Sequence, residues 1–205
     1  MNHLIKTILV INALILTFGW KAQSISLTFA YEDKEQPPFY MGDTSQVLEA
    51  SPGVNVEMLK KLESKIPDLK ITFVRFPWKR CLANLQSNKV QGAFNSSCKT
   101  ERLENGWYPT ADGTLNGPVD LSKRLCTISY SLYSLPDEKI DWDGKKFGQF
   151  QGPVSAMLGV SIVDDLKKLG VTVQEDLHIK SVLESVLQKI VKAAALQEVT
   201  ADALI

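Results

Sequence analysis

Arg102 is the side chain best suited to chemistry in this sequence. It follows a run of small polar residues, Asn95, Ser96 and Ser97, that closes the short apolar segment Val90 to Phe94. A planar guanidinium matches a carboxylate through paired hydrogen bonds, and serine hydroxyls add further donors. Such groups, placed just beyond the carboxyl end of a strand, are how an α/β sheet builds an anion-holding site. The alternative for Arg102 is a solvated loop cation paired with Glu101 or Glu104.

The elements that must position these groups can be read from periodicity. Ile25 to Tyr31 alternates apolar and polar residues, which predicts a strand. A polar, proline-bearing loop follows from Glu32 to Pro52. Gly53 then opens a helix on which Met58, Leu59, Leu62 and Ile66 share a face, and Leu69 to Phe76 predicts a second strand. Pro77 begins a helix with Cys81, Leu82 and Leu85 as its apolar stripe, leading into the strand Val90 to Phe94. This β-α-β-α-β order favours a parallel sheet. Beyond a turn-rich stretch, residues 124–135 predict a long strand that joins two halves. The second half starts with a strand-like Lys146 to Gln151. A helix follows the turn Gly152 to Ser155, carries Met157, Leu158, Val160, Ile162, Val163 and Leu166, and stops at Gly170. A short strand at Val171 to Val173, a helix from Lys180 to Lys192, a strand from Ala193 to Val199 and a further helix capped by Thr200 complete it. Two similar α/β lobes are expected, at residues 25–126 and 137–205, with 127–136 crossing between them.

The first residues have the composition of an export signal. Lys6 precedes a mainly apolar stretch from Thr7 to Trp20, and Ala22-Gln23-Ser24 offers small residues for cleavage. The stretch is shorter than the roughly 20 residues that cross a bilayer. Residues 1–24 are therefore expected to be removed, leaving a protein in the periplasm. No cysteine precedes Cys81, so a lipid-modified N-terminal cysteine is not expected. Residues 25–205 carry 21 basic and 23 acidic side chains, a net charge of −2, which gives no case for nucleic acid or an anionic membrane as partner. Cys81 falls on an apolar helix face, whereas Cys98 and Cys126 lie in segments that could approach each other. Their spacing is not that of a zinc site, and no metal or cofactor is expected.

Several short pieces, in order, resemble the extracellular solute-binding proteins of the amino-acid-binding type. They are Pro37-Pro38-Phe39-Tyr40, Gly53-Val54-Asn55-Val56-Glu57, Pro77-Trp78-Lys79-Arg80, Val90-Gln91-Gly92-Ala93, Thr100-Glu101-Arg102 and Gly148 to Gly152. The resemblance implies a two-lobed type II periplasmic-binding-protein fold that closes on a small ligand. It implies that Arg102 holds a ligand carboxylate, with Ser96 and Ser97 beside it, and that Trp78 forms a wall. Glu32 and Tyr40 fall at the cleft, where they could meet a ligand amine or ring. The turn with Gly152 and Val154 would complete the carboxylate site, although Pro153 removes one donor there. Glu198 matches an acidic position that pairs with the ligand amine, with Gln197 as the alternative register.

The function this implies is capture of an amino acid or related carboxylate by a monomer, for an ABC-transporter permease or a membrane sensor. A dehydratase-like enzyme on the same scaffold would need a carboxylate of tuned pKa beside the ligand, and Glu32, Glu57 and Glu198 are the ones to consider. A third reading is a degenerate fragment. The sequence ends at Ile205, within a turn or so of a helix start, so a truncated second lobe is expected.

Overall fold

The computed structural model describes residues 24–150 and 152–205. The expected signal segment lies outside the described residues up to position 23. No helix among the described residues is long and apolar enough to cross a membrane.

Two sheets organise the chain. The first has three parallel strands in the order β2-β1-β3, with β1 at Ile25–Glu32, β2 at Leu69–Phe76 and β3 at Gly92–Ala93. Helix α1 (Val54–Glu63) and helix α2 (Trp78–Gln86) cover its opposite faces. Alternation along β1 explains this: Tyr31 packs with Val56, Leu59 and Phe94 on one face, while Ala30 packs with Trp78, Cys81 and Val90 on the other. The buried stripe of α1 is Asn55, Val56 and Leu59, and Met58, Leu62 and Ile66 are exposed, unlike the face expected from spacing.

The second sheet has four strands in the order β4-β7-β5-β6. Strands β5 (Val154–Met157), β6 (Val173–Asp176) and β7 (Ala193–Gln197) are parallel, and β4 (Tyr130–Tyr133) runs antiparallel to β7. Helix α3 (Ser161–Lys168) and helix α4 (Ile179–Leu187) cover its two faces, and α5 (Glu198–Asp202) follows β7 directly.

Three expectations are corrected here. The long strand at 124–135 is only Tyr130–Tyr133 and belongs to the second sheet. The expected helix from the Gly152 turn is instead the buried strand β5, a turn at Leu158–Val160, and then α3. The strand-like segment at 146–151 contains only an isolated pairing of Trp142 with Phe147 among its described residues. All three cysteines are free, and burial pushes the Cys81 thiol up to about 12.

A buried arginine ties the long loop after β1 to the first sheet. Arg75 on β2 is 1% exposed. Its guanidinium donates to the carbonyls of Glu32 (3.1 Å), Met41 (2.8 Å), Gly42 (2.5 Å) and Gln46 (3.4 Å). It also lies 4.9 Å from the centre of the Tyr31 ring. At the loop's far end, Val54 and Asn55 donate their free backbone N–H groups to the carbonyls of Pro38 and Phe39. Gly53, at φ 106°, makes this approach possible, because a side chain there would overlap the backbone of Phe39 and Tyr40.

Candidate functional site

Strand direction places one edge of each sheet against the other. Glu32 ends β1, Trp78 follows β2, and Asn95 to Ser97 follow β3. From the second sheet come Val160 and Ser161 after β5, and Gln197 at the end of β7. Antiparallel β4 begins at this same edge, with Tyr130 in register with Gln197. Side chains from the carboxyl ends of five parallel strands and the start of β4 thus converge. That is the position where open α/β sheets bind ligands.

The result is a narrow cleft with an open mouth. Its first-sheet wall includes Glu32, Gln36, Tyr40, Trp78, Ser97 and Arg102. Tyr130, Val160, Ser161 and Gln197 face them. Polar contacts close the two walls together on both flanks. On one, Ser161 Oγ donates to Ser97 Oγ (3.1 Å), Lys99 pairs with Asp165 (2.6 Å), and Lys168 pairs with Glu101 (3.2 Å). On the other, His178 lies 3.7 Å from Asp43 and Lys180 lies 3.8 Å from Glu35.

Arg102 sits on a short 3-10 turn, Thr100–Glu104, and is half-buried. Its guanidinium carbon lies 5.4 Å from the centre of the Trp78 ring, and Nη1 donates to Ser96 Oγ (3.3 Å) and the Ser97 carbonyl (3.4 Å). Tyr108 braces these serines, donating to the Ser97 carbonyl at 2.6 Å. Asn95 holds a left-handed backbone (φ 63°), and its side-chain carbonyl accepts from Asn55, which is 1% exposed. The ion pairs among the described residues do not include Arg102 or Glu32. Glu101, the alternative partner for Arg102, is engaged by Lys168.

Glu32 is the pocket's carboxylate. Burial pushes its pKa up to about 7, against the lowering effect of the Tyr40 hydroxyl, which donates to it at 3.4 Å. The same hydroxyl contacts Gln36 Oε1 at 2.8 Å. Between its ordinary value and about 7 the folded chain keeps a proton that the unfolded chain releases, so this group lowers stability as pH rises. Glu32→Gln is therefore expected to match the parent near pH 4 and to exceed it above pH 8. The gain is at most roughly 3 kcal/mol. Denaturant titrations at the two pH values check this, and a difference that does not change with pH would refute it.

The pocket lining gathers seven residues singled out in the sequence: Glu32, Tyr40, Trp78, Asn95, Ser97, Arg102 and, as the alternative to Glu198, Gln197. Ser96 stands behind Arg102 rather than in the lining. Gly152 and Val154 lie at the opposite end of β5: Gly152 packs on Lys192, and Val154 is fully buried between sheet and α3. The turn that faces the pocket is Leu158–Val160, where Gly159 (φ 77°) rests near Trp78. Glu198 is exposed on α5, and Gln197 occupies the pocket position. Gln36, Tyr130, Val160 and Ser161 were not singled out in the sequence. The one signal for Ser161 is its place just after the Gly159 turn, at the first position of α3. No sequence signal marks the other three. Among the described residues no group of three or more His, Cys, Asp or Glu side chains could hold a metal ion.

The architecture is that of the type II periplasmic-binding-protein fold, with mainly parallel sheets flanked by helices in two lobes. The chain is similar to the ligand-binding core of GluR0 from Nostoc punctiforme, solved with L-glutamate. The TM-score is 0.63 at 13% identity, over 85% of this chain and 71% of that one. It is also similar to a structure from work on glutathione import via GshT and the cystine ABC importer TcyBC of Streptococcus mutans. There the TM-score is 0.67 at 16% identity, over 89% of this chain and 72% of that one. Holo ArgBP from T. maritima matches with a TM-score of 0.58 at 15% identity, over 87% and 72% of the two chains. No family model matches the sequence, and no curated protein matches it.

Proposed function

We propose that this chain is an exported solute-binding protein of the amino-acid-binding type. It captures a small zwitterion, an amino acid or a close relative, between its lobes and presents it to a membrane transporter or sensor. The observation that carries this reading is a cleft that holds a guanidinium, Arg102, and a carboxyl group, Glu32, neither of them ion-paired among the described residues. A carboxylate on Arg102 gains charge-assisted hydrogen bonds from a fixed fork. An ammonium beside Glu32 draws that group into its ionised form.

Similarity to ligand-binding proteins supports binding rather than catalysis, and the contacts across both flanks support capture by lobe closure. Working as a monomer outside the cytoplasm, with an ABC-type permease as partner, belongs to the same proposal. Trp78, Ser97, Tyr40, Gln197 and Ser161 line the ligand in this reading, and Ser96 steadies Arg102. A solute that binds the folded chain raises its melting temperature. The test is a thermal-shift screen of amino acids and small carboxylates on the parent chain and on Arg102→Ala. A rise in the parent that the variant loses supports the reading, and no rise with any of them counts against it.

A further inference from the structure

Resting on that zwitterion reading, we propose that the solute is an α-amino acid with a short, uncharged, apolar side chain, and that this side chain enters a second pocket beside the first. This pocket is narrow and shares Gln36, Tyr130, Val160 and Gln197 with the charged one, so a ligand held in the first lies against it, and a side chain enters as the apolar walls part. Its remaining walls are Met157, Ile179, Ala195 and Leu196. Met157, Ile179 and Leu196 belong to one buried cluster between the second sheet and α4. No charged residue lines it.

The junction fixes the ligand's direction. Gln197 is 8% exposed, and its Oε1 is buried with no hydrogen-bond partner among the described residues, while its Nε2 contacts the Tyr130 hydroxyl at 3.4 Å. A buried acceptor without a donor is costly, and the ligand ammonium supplies that donor. With the carboxylate on Arg102 and the ammonium between Glu32 and Gln197, the third substituent of the α-carbon points into the apolar pocket. A guanidinium, a second ammonium or a second carboxylate would lose its hydration there and find no counter-charge.

The test is calorimetric titration of the full chain at pH 8 with alanine, valine, leucine and methionine, set against arginine, lysine and glutamate. The best apolar amino acid should bind at least about 100-fold tighter than any of the charged three. Arginine, lysine or glutamate binding as tightly, with the dependence on Arg102 retained, would overturn the side-chain assignment and leave the zwitterion reading standing. Binding of none of the seven would overturn that reading and this inference with it. Met157→Ala enlarges the second pocket and should shift preference from valine toward leucine or methionine by about 10-fold. Where that variant folds poorly, Ile179→Val, which removes one methylene, should move the ratio in the same direction. An unchanged ratio in a folded variant counts against the second pocket.

Discussion

Replacing Arg102 with alanine is expected to weaken capture of the solute by about 100- to 1,000-fold with little loss of fold stability. The side chain supplies the cleft's cation and stacks on Trp78, so truncation leaves the ligand carboxylate desolvated with only hydroxyl and amide donors near it. Stability should change little, because Arg102 is half-buried on a short turn and its own hydrogen bonds are long, at 3.3 and 3.4 Å. Arg102→Lys keeps the charge and loses the planar fork, and should recover only part of the affinity. Dissociation constants from calorimetry check this, with melting temperatures as the control for folding. Affinity within about threefold of the parent in a folded Arg102→Ala protein would remove Arg102 from the site.

Arg75→Ala should have the largest effect on stability, about 3–5 kcal/mol, or a melting temperature lower by roughly 10 °C. The guanidinium is buried, and its partners are three loop carbonyls, the carbonyl of Glu32 at the end of β1, and the Tyr31 ring rather than a carboxylate. Removing it leaves those carbonyls without their donor and opens a cavity beneath the loop. Gln36 and Tyr40 ride on this loop and Glu32 opens into it, so the same variant should also weaken binding in whatever fraction stays folded. Arg75→Lys should rescue little, since one ammonium cannot reach all of the carbonyls that the wider guanidinium spans. Denaturant midpoints measure the effect, and a loss below about 1 kcal/mol would show that the loop does not depend on this arginine.

The first sheet was largely legible in the sequence because β1 and β2 alternate and α2 starts at a proline. Arg75 was not, because nothing in a strand sequence shows that a loop will arch over it and aim carbonyls inward. The second half was harder for a physical reason. Strand β5 is buried on both faces, so its apolar run continues without a break toward α3 and mimics a helix by spacing. That run moved the expected pocket turn to Gly152, whereas the turn facing the pocket contains Gly159. At β7 a shift of one residue exchanges Glu198 for Gln197, and a strand's period of two makes such a shift decisive. Glu32 and Arg102 could be singled out because each stands at a strand end or just beyond one. Gln36 and Tyr130 reach the pocket only through tertiary folding.

In the proposed complex one zwitterion spans the cleft from Arg102 to Glu32. The most direct measurement is a crystal structure of the chain with the amino acid that stabilises it most. The ligand carboxylate should lie within about 3 Å of the Arg102 guanidinium, with the ammonium at a similar distance from Glu32 and Gln197. A ligand bound outside the cleft, or lying within it with neither Arg102 nor Glu32 in contact, would rule out this binding mode.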